Sequence, residues 1–147
     1  MAVYLISLAT HEVMHLVALF ALGGSGSLIV HAWRFTFLPI TVESFHAQSA
    51  APLGFAAHLL FDFAGPALAA LLLAPLAATV RQPAPRAALL ANLAILAFYA
   101  VIEPLDVLLD AAGGVGAPFL LWAEFNYGVP LLVLLATSLT VARRAPA

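Results

Sequence analysis

His11, Glu12 and His15 stand in the order His-Glu-x-x-His inside an otherwise apolar stretch. Residues four apart on a helix lie on one face, one turn above the other. Two imidazoles so placed can grip one Zn²⁺ at about 2.0–2.1 Å each. Glu12 lies beside that face, where a carboxylate can take the proton of a zinc-bound water. The chain has no cysteine, so any metal site must draw on His, Asp or Glu. A catalytic zinc needs a third protein ligand and one open position.

The candidates for that third ligand are few. His58 and Asp62, then Glu103 and Asp106 with Asp110 at the stretch's end, and finally Glu124 are the remaining His, Asp and Glu residues of the long apolar stretches. At about 1.5 Å per residue, most of them fall at a depth similar to His15, in the half of each stretch nearest residues 25–52. A shared polar pocket would produce that pattern. Asp106 is the first choice for third ligand, because Asp110 lies too near its helix end. His58 and Asp62, four apart, could pair with each other in an ordinary hydrogen bond, or Asp62 could orient a ligand imidazole from behind. Glu124, beside Trp122, Asn126 and Tyr127, suits an aromatic interface belt or the mouth of the pocket. His31 and His46 fall in a connecting loop, where surface histidines are the ordinary expectation.

The elements that must position these residues are read from composition. Of 147 residues, 65% are hydrophobic and 8% charged, with a mean hydropathy of +1.10. A soluble domain carries about a quarter charged residues, so lipid is the expected solvent and the chain an integral membrane protein of one domain, residues 1–147. The net charge of -2 and the lack of a basic run exclude nucleic acid as a partner. A helix needs about 20 apolar residues to cross a hydrocarbon core roughly 30 Å thick. Four stretches meet this, at about 2–22, 53–80, 87–109 and 118–142. The expected fold class is therefore an all-α membrane bundle of about four transmembrane helices. The first stretch has neither a basic flank nor a cleavage site and reads as a retained span. Residues 81–86 read as a proline-bearing turn.

Residues 25–52 differ in kind. Leu28 to Phe37 and Ile40 to Phe45 are rich in β-branched and aromatic residues, with Pro39 between them. That predicts a short strand–turn–strand segment. An open sheet edge cannot face lipid, so the segment should lie at the interface or against the helices. Arg81, Arg86, Arg143 and Arg144 fall on one side of a four-span arrangement and Arg34 on the other, which by the positive-inside rule places both termini in the cytoplasm.

These residues resemble the site-2 protease family of intramembrane zinc metalloproteases. The likeness rests on His11-Glu12-x-x-His15 in the first span, Ala64-Gly65-Pro66-Ala67-Leu68 in the second, and Pro104-Leu105-Asp106 in the third, and covers about residues 5 to 110. It implies Zn²⁺ as cofactor, Glu12 as general base, His11, His15 and Asp106 as metal ligands, and a transmembrane protein as substrate in a bacterial-type cell membrane. It also implies that the β segment receives the substrate as an added strand and lies with the zinc on the cytosolic side, against the arginine count. The substrate helix must unwind before cleavage, and Gly65-Pro66 is a candidate place to hold it. The chain departs from the family's third motif: Val107 follows Asp106 where Gly is usual, Phe98 and Val101 replace the usual Asn and first Pro, and Glu103 displaces the second Pro. Glu103 is therefore a rival to Asp106 for the metal.

A second expectation, from a different class, is a non-catalytic membrane scaffold or regulator that keeps the fold. A di-iron oxidase would need about eight clustered histidines, and the chain has five. A haem bundle would need facing histidines such as His15 and His58, with nothing further to support it.

Overall fold

A computed structural model of the protein describes residues 2–113 and 122–144. The order is α1 (Ala2–Ala21), β1 (Gly26–Arg34), β2 (Thr41–Ser49), α2 (Phe55–Thr79), α3 (Pro83–Ala111), a π-helical turn (Glu124–Gly128) and α4 (Val129–Arg144). Four helical segments, the last running continuously from the π-turn into α4, are long and apolar enough to cross a membrane. The fold is thus mostly helical with one small sheet. The expected start of the fourth span at Pro118, and Gly114 and Gly116 before it, lie outside the described residues.

Two boundaries differ from expectation for local reasons. Residues 81–86 are not all turn: α3 begins at Pro83, with Gln82 at the N-cap position and no side-chain cap. Proline is favoured at the first helical position, where its missing N–H would lack an intrahelical partner anyway. The strands also sit elsewhere than the apolar runs suggest. β1 stops at Arg34, and β2 continues to Ser49. Register decides this: Gly26 pairs with Ser49 and Arg34 with Thr41 in an antiparallel hairpin, leaving residues 35–40 as its loop.

The exit from α1 sets the hairpin's direction. Gly23 adopts φ 77°, its N–H donates to the Phe20 carbonyl, and the Gly24 N–H donates to the Leu19 carbonyl. This is the Schellman termination, which needs a left-handed residue that glycine supplies without strain. The chain is thereby turned back onto Leu19, which is fully buried with Ala47 of β2 and Phe61 of α2. A second cluster, Tyr4, Ile95, Tyr99 and Ile102, joins α1 to α3 and is flanked by Phe125, Val133 and Leu134.

The bundle is open on one side. α2 packs against both α1 and α3, and α3 packs against α4, but no Cα of α1 lies within 8 Å of one in α4. The hairpin reaches across this gap. At one end the Ala47 N–H donates to Glu12 of α1 at 2.7 Å. At the other, the Phe37 N–H donates to Glu124 at 2.8 Å, and Ser44 Oγ shares a 2.5 Å hydrogen bond with the Tyr127 hydroxyl. The helices' outer faces carry large apolar side chains, among them Ile6, Leu71, Leu132 and Leu135.

Candidate metal centre

Three helices each turn a narrow polar stripe toward one point. On α1 the stripe is Ser7, His11 and His15 with Glu12 beside it, all buried. On α2, His58, Phe61, Asp62 and Gly65 share a face at i, i+3, i+4 and i+7 spacing. On α3, Tyr99, Glu103 and Asp106 do the same. Burying these groups singly in an apolar bundle would cost several kcal/mol each. Brought together, they surround a cavity of about 390 Å³ that is lined by His11, Glu12, His15, Asp62, Glu103 and Asp106 among others.

At the floor of the cavity the Nε2 atoms of His11 and His15 lie 2.8 Å apart. Glu103 Oε1 is 3.3 Å from His11 Nε2, and Glu103 Oε2 is 3.2 Å from His15 Nε2. Two ligand atoms on one tetrahedral zinc are separated by about 3.3–3.4 Å when each bond is about 2.0–2.1 Å. The two imidazole–carboxylate spacings match this value, and the imidazole pair would open by about half an ångström. His11, His15 and Glu103 form the group whose ligand atoms lie close enough together to hold a metal ion.

The tautomer of His15 supports the fit. Its Nδ1 lies 2.8 Å from the Phe61 carbonyl oxygen. A carbonyl only accepts, so Nδ1 carries the hydrogen, and whenever the ring is neutral its bare lone pair is at Nε2. That lone pair faces a second imidazole nitrogen and a carboxylate. Such a convergence of acceptors calls for a cation or a shared proton at its centre. His11 is held differently: its ring stacks on Tyr99, with centroids 5.2 Å apart, and its buried Nδ1 has no hydrogen-bond partner among the described residues.

Gly65 makes room for the site. A Cβ built at this position would collide with the His15 ring. Gly65 and its neighbour Pro66 are both buried, and neither lines the cavity. Gly65 thus gives the His15 ring its room.

The remaining candidates separate clearly. Asp106 lines the same cavity but stands outside the group that could hold a metal ion, in which Glu103 takes the third place. The two carboxylates lie three residues apart on α3, nearly one turn, so spacing alone cannot rank them. Asp62 sits 3.6 Å from His58, its i+4 partner, within ion-pair distance and beyond hydrogen-bond range. Glu124 is not in the cavity and instead anchors the hairpin loop through Phe37. His46, expected at the surface, lies in β2 with its side chain about half exposed. The structure places its Nδ1 3.8 Å from Glu12 Oε2 on the cavity wall. Burial lowers the pKa of its imidazole below the ordinary value, with the nearby Glu12 carboxylate opposing that shift.

Comparison with protein families, with curated proteins and with solved structures gives no match for this chain. Any functional reading therefore rests on its own residues.

Proposed function

We propose that this protein is an intramembrane zinc metalloprotease of the site-2 type, acting on transmembrane proteins within the bilayer. The observation that carries the reading is the meeting of His11, His15 and Glu103 with Glu12 beside them in one cavity. The membrane setting is supported by four helices of spanning length with apolar outer faces, since exposed apolar area of this kind is favourable in lipid and costs about 25 cal/mol per Å² in water. Zinc bound there would act as a Lewis acid, making water acidic enough to be a nucleophile near neutral pH and polarising the scissile carbonyl.

The chain's own residues supply the rest. His11, His15 and Glu103 are the residues that would hold the ion. Glu12 Oε2 is engaged by the Ala47 N–H, so Oε1 is the oxygen free to take a proton from the attacking water. Glu12 then returns that proton to the leaving amine nitrogen, which completes hydrolysis without a net change in the carboxylate. Access is lateral. An apolar cavity between α1, the hairpin and the π-turn, lined by Leu5 and Leu131, shares Leu8, Glu12 and Tyr127 with the wall of the metal cavity. An unwound apolar segment would reach Glu12 by that route without crossing water.

Zinc analysis and proteolysis together test the reading. Purified protein in detergent should hold about one zinc per chain. With zinc it should cleave a single-span model peptide or an unfolded chain such as casein, and Glu12→Gln should keep the zinc and lose the cleavage. Absence of zinc after metal supply, or cleavage undiminished in Glu12→Gln, would overturn it.

One feature favours a second reading, a non-catalytic scaffold. Glu103 lies within ion-pair distance of both imidazoles, so a proton could close the network in place of a metal. On this reading wild type holds no zinc, and Glu103→Gln destabilises the bundle without any loss of activity to measure.

A further inference from the structure

We infer that His46 of β2 is a positioning residue for Glu12, fixing the carboxylate so that only its Oε1 is presented to the reaction. This rests on the protease reading above. Glu12 is a short lever on α1, and a general base must hold its proton-accepting oxygen within hydrogen-bond reach of the water through the whole step. The structure ties the other oxygen from the β2 side. Oε2 accepts the Ala47 N–H at 2.7 Å and has His46 Nδ1 at 3.8 Å. The Ala47 contact is a full hydrogen bond, whereas the imidazole stands just beyond that range. A shift of under about 1 Å would make it a second donor on the same oxygen.

Neighbouring side chains leave this role to His46. Trp33 Nε1–H donates to Ser44 at 3.1 Å, the Tyr127 hydroxyl is paired with the same Ser44, and the Tyr99 hydroxyl donates to the Asn126 carbonyl. These donors on the cavity wall are committed to holding the hairpin and the π-turn. His46 instead presents its imidazole to Glu12. Its ring sits edge-on to Trp33 with centroids 6.2 Å apart. Its side chain is 46% exposed and Glu12's only 9%, so His46 stands between the buried carboxylate and the open part of the cavity. Burial also favours its neutral form, and a neutral ring with hydrogen on Nδ1 is a donor to carboxylate that adds no charge beside the metal.

The test uses full-length, zinc-loaded protein in detergent with casein as probe, comparing wild type, His46→Ala, His46→Asn and Glu12→Gln. His46→Ala should keep about one zinc per chain and an unchanged thermal midpoint, lower kcat about tenfold, and leave KM within about twofold, as expected for an interaction made in the transition state. His46→Asn, which restores a short side-chain donor, should recover part of the lost kcat. A residue that merely shaped the hairpin would lower the thermal midpoint and raise KM, and the asparagine would not rescue it. Unchanged kcat in His46→Ala, with wild type active and Glu12→Gln inactive, overturns the role of His46 and leaves the protease reading standing. No cleavage by zinc-loaded wild type, or cleavage unaffected by Glu12→Gln, overturns both.

Discussion

The ring of His15 lies against the backbone of Gly65 so closely that no side chain fits between them. The same ring donates from Nδ1 to the carbonyl of Phe61, one turn earlier on α2. One face of α2 thus sets both the tautomer and the position of an imidazole on α1. Gly65→Ala should push the imidazole off this seat. Metal affinity is expected to fall by about 10–100-fold, the usual scale for disturbing the support of a ligand, and competition with a chelating dye would measure it. Affinity equal to wild type would show that the ring has another seat.

The choice between two carboxylates on α3 is open to direct measurement. Glu103→Ala should reduce bound zinc well below one per chain. Asp106→Ala should retain it, because Asp106 lines the cavity outside the group of His11, His15 and Glu103. The reverse pattern in metal analysis would restore Asp106 as third ligand.

The hairpin is fastened to the π-turn by Ser44 and Tyr127 at 2.5 Å and to its start by Phe37 and Glu124 at 2.8 Å. Tyr127→Phe removes one partner of the first tie and should cost about 1 kcal/mol. Loss of the tie should also raise hydrogen exchange at the amides of β1 and β2 in detergent. Exchange unchanged from wild type would mean that the Phe37–Glu124 tie, Glu12 and the Leu19 cluster hold the hairpin without Tyr127.

Acidification should weaken the fold through His46. Its folded pKa lies below the ordinary value of about 6.5, so the unfolded chain binds the proton more readily. Stability from this group is therefore complete above about pH 6.5 and declines as pH falls from there toward the folded pKa. Thermal unfolding of wild type and His46→Asn, followed from pH 7.5 to 5, should show a smaller decline in the variant. Parallel curves would count against this.

Much of the arrangement was legible in local pattern. Apolar length alone marks α1 and α2 to within about two residues at each end, because helix formation and burial in an apolar solvent depend on composition over a window. The His11–His15 pair was legible because a four-residue spacing fixes relative direction on any helix. Other features follow from contacts between elements distant in sequence and leave no local trace. The strand limits depend on the pairing of Gly26 with Ser49, which neither segment encodes by itself. Glu103 and Asp106 share an α3 face at positions three apart, and their rank depends on how α3 is rotated against α1. His46 looked like a loop histidine until the Gly23 turn folded β2 back along α1. By itself the sequence determined which side chains could bind metal and which helices would carry them. Only tertiary packing decided which carboxylate meets the two imidazoles and which histidine flanks Glu12, since those distances are set by helix rotation and hairpin register, and not by spacing along the chain.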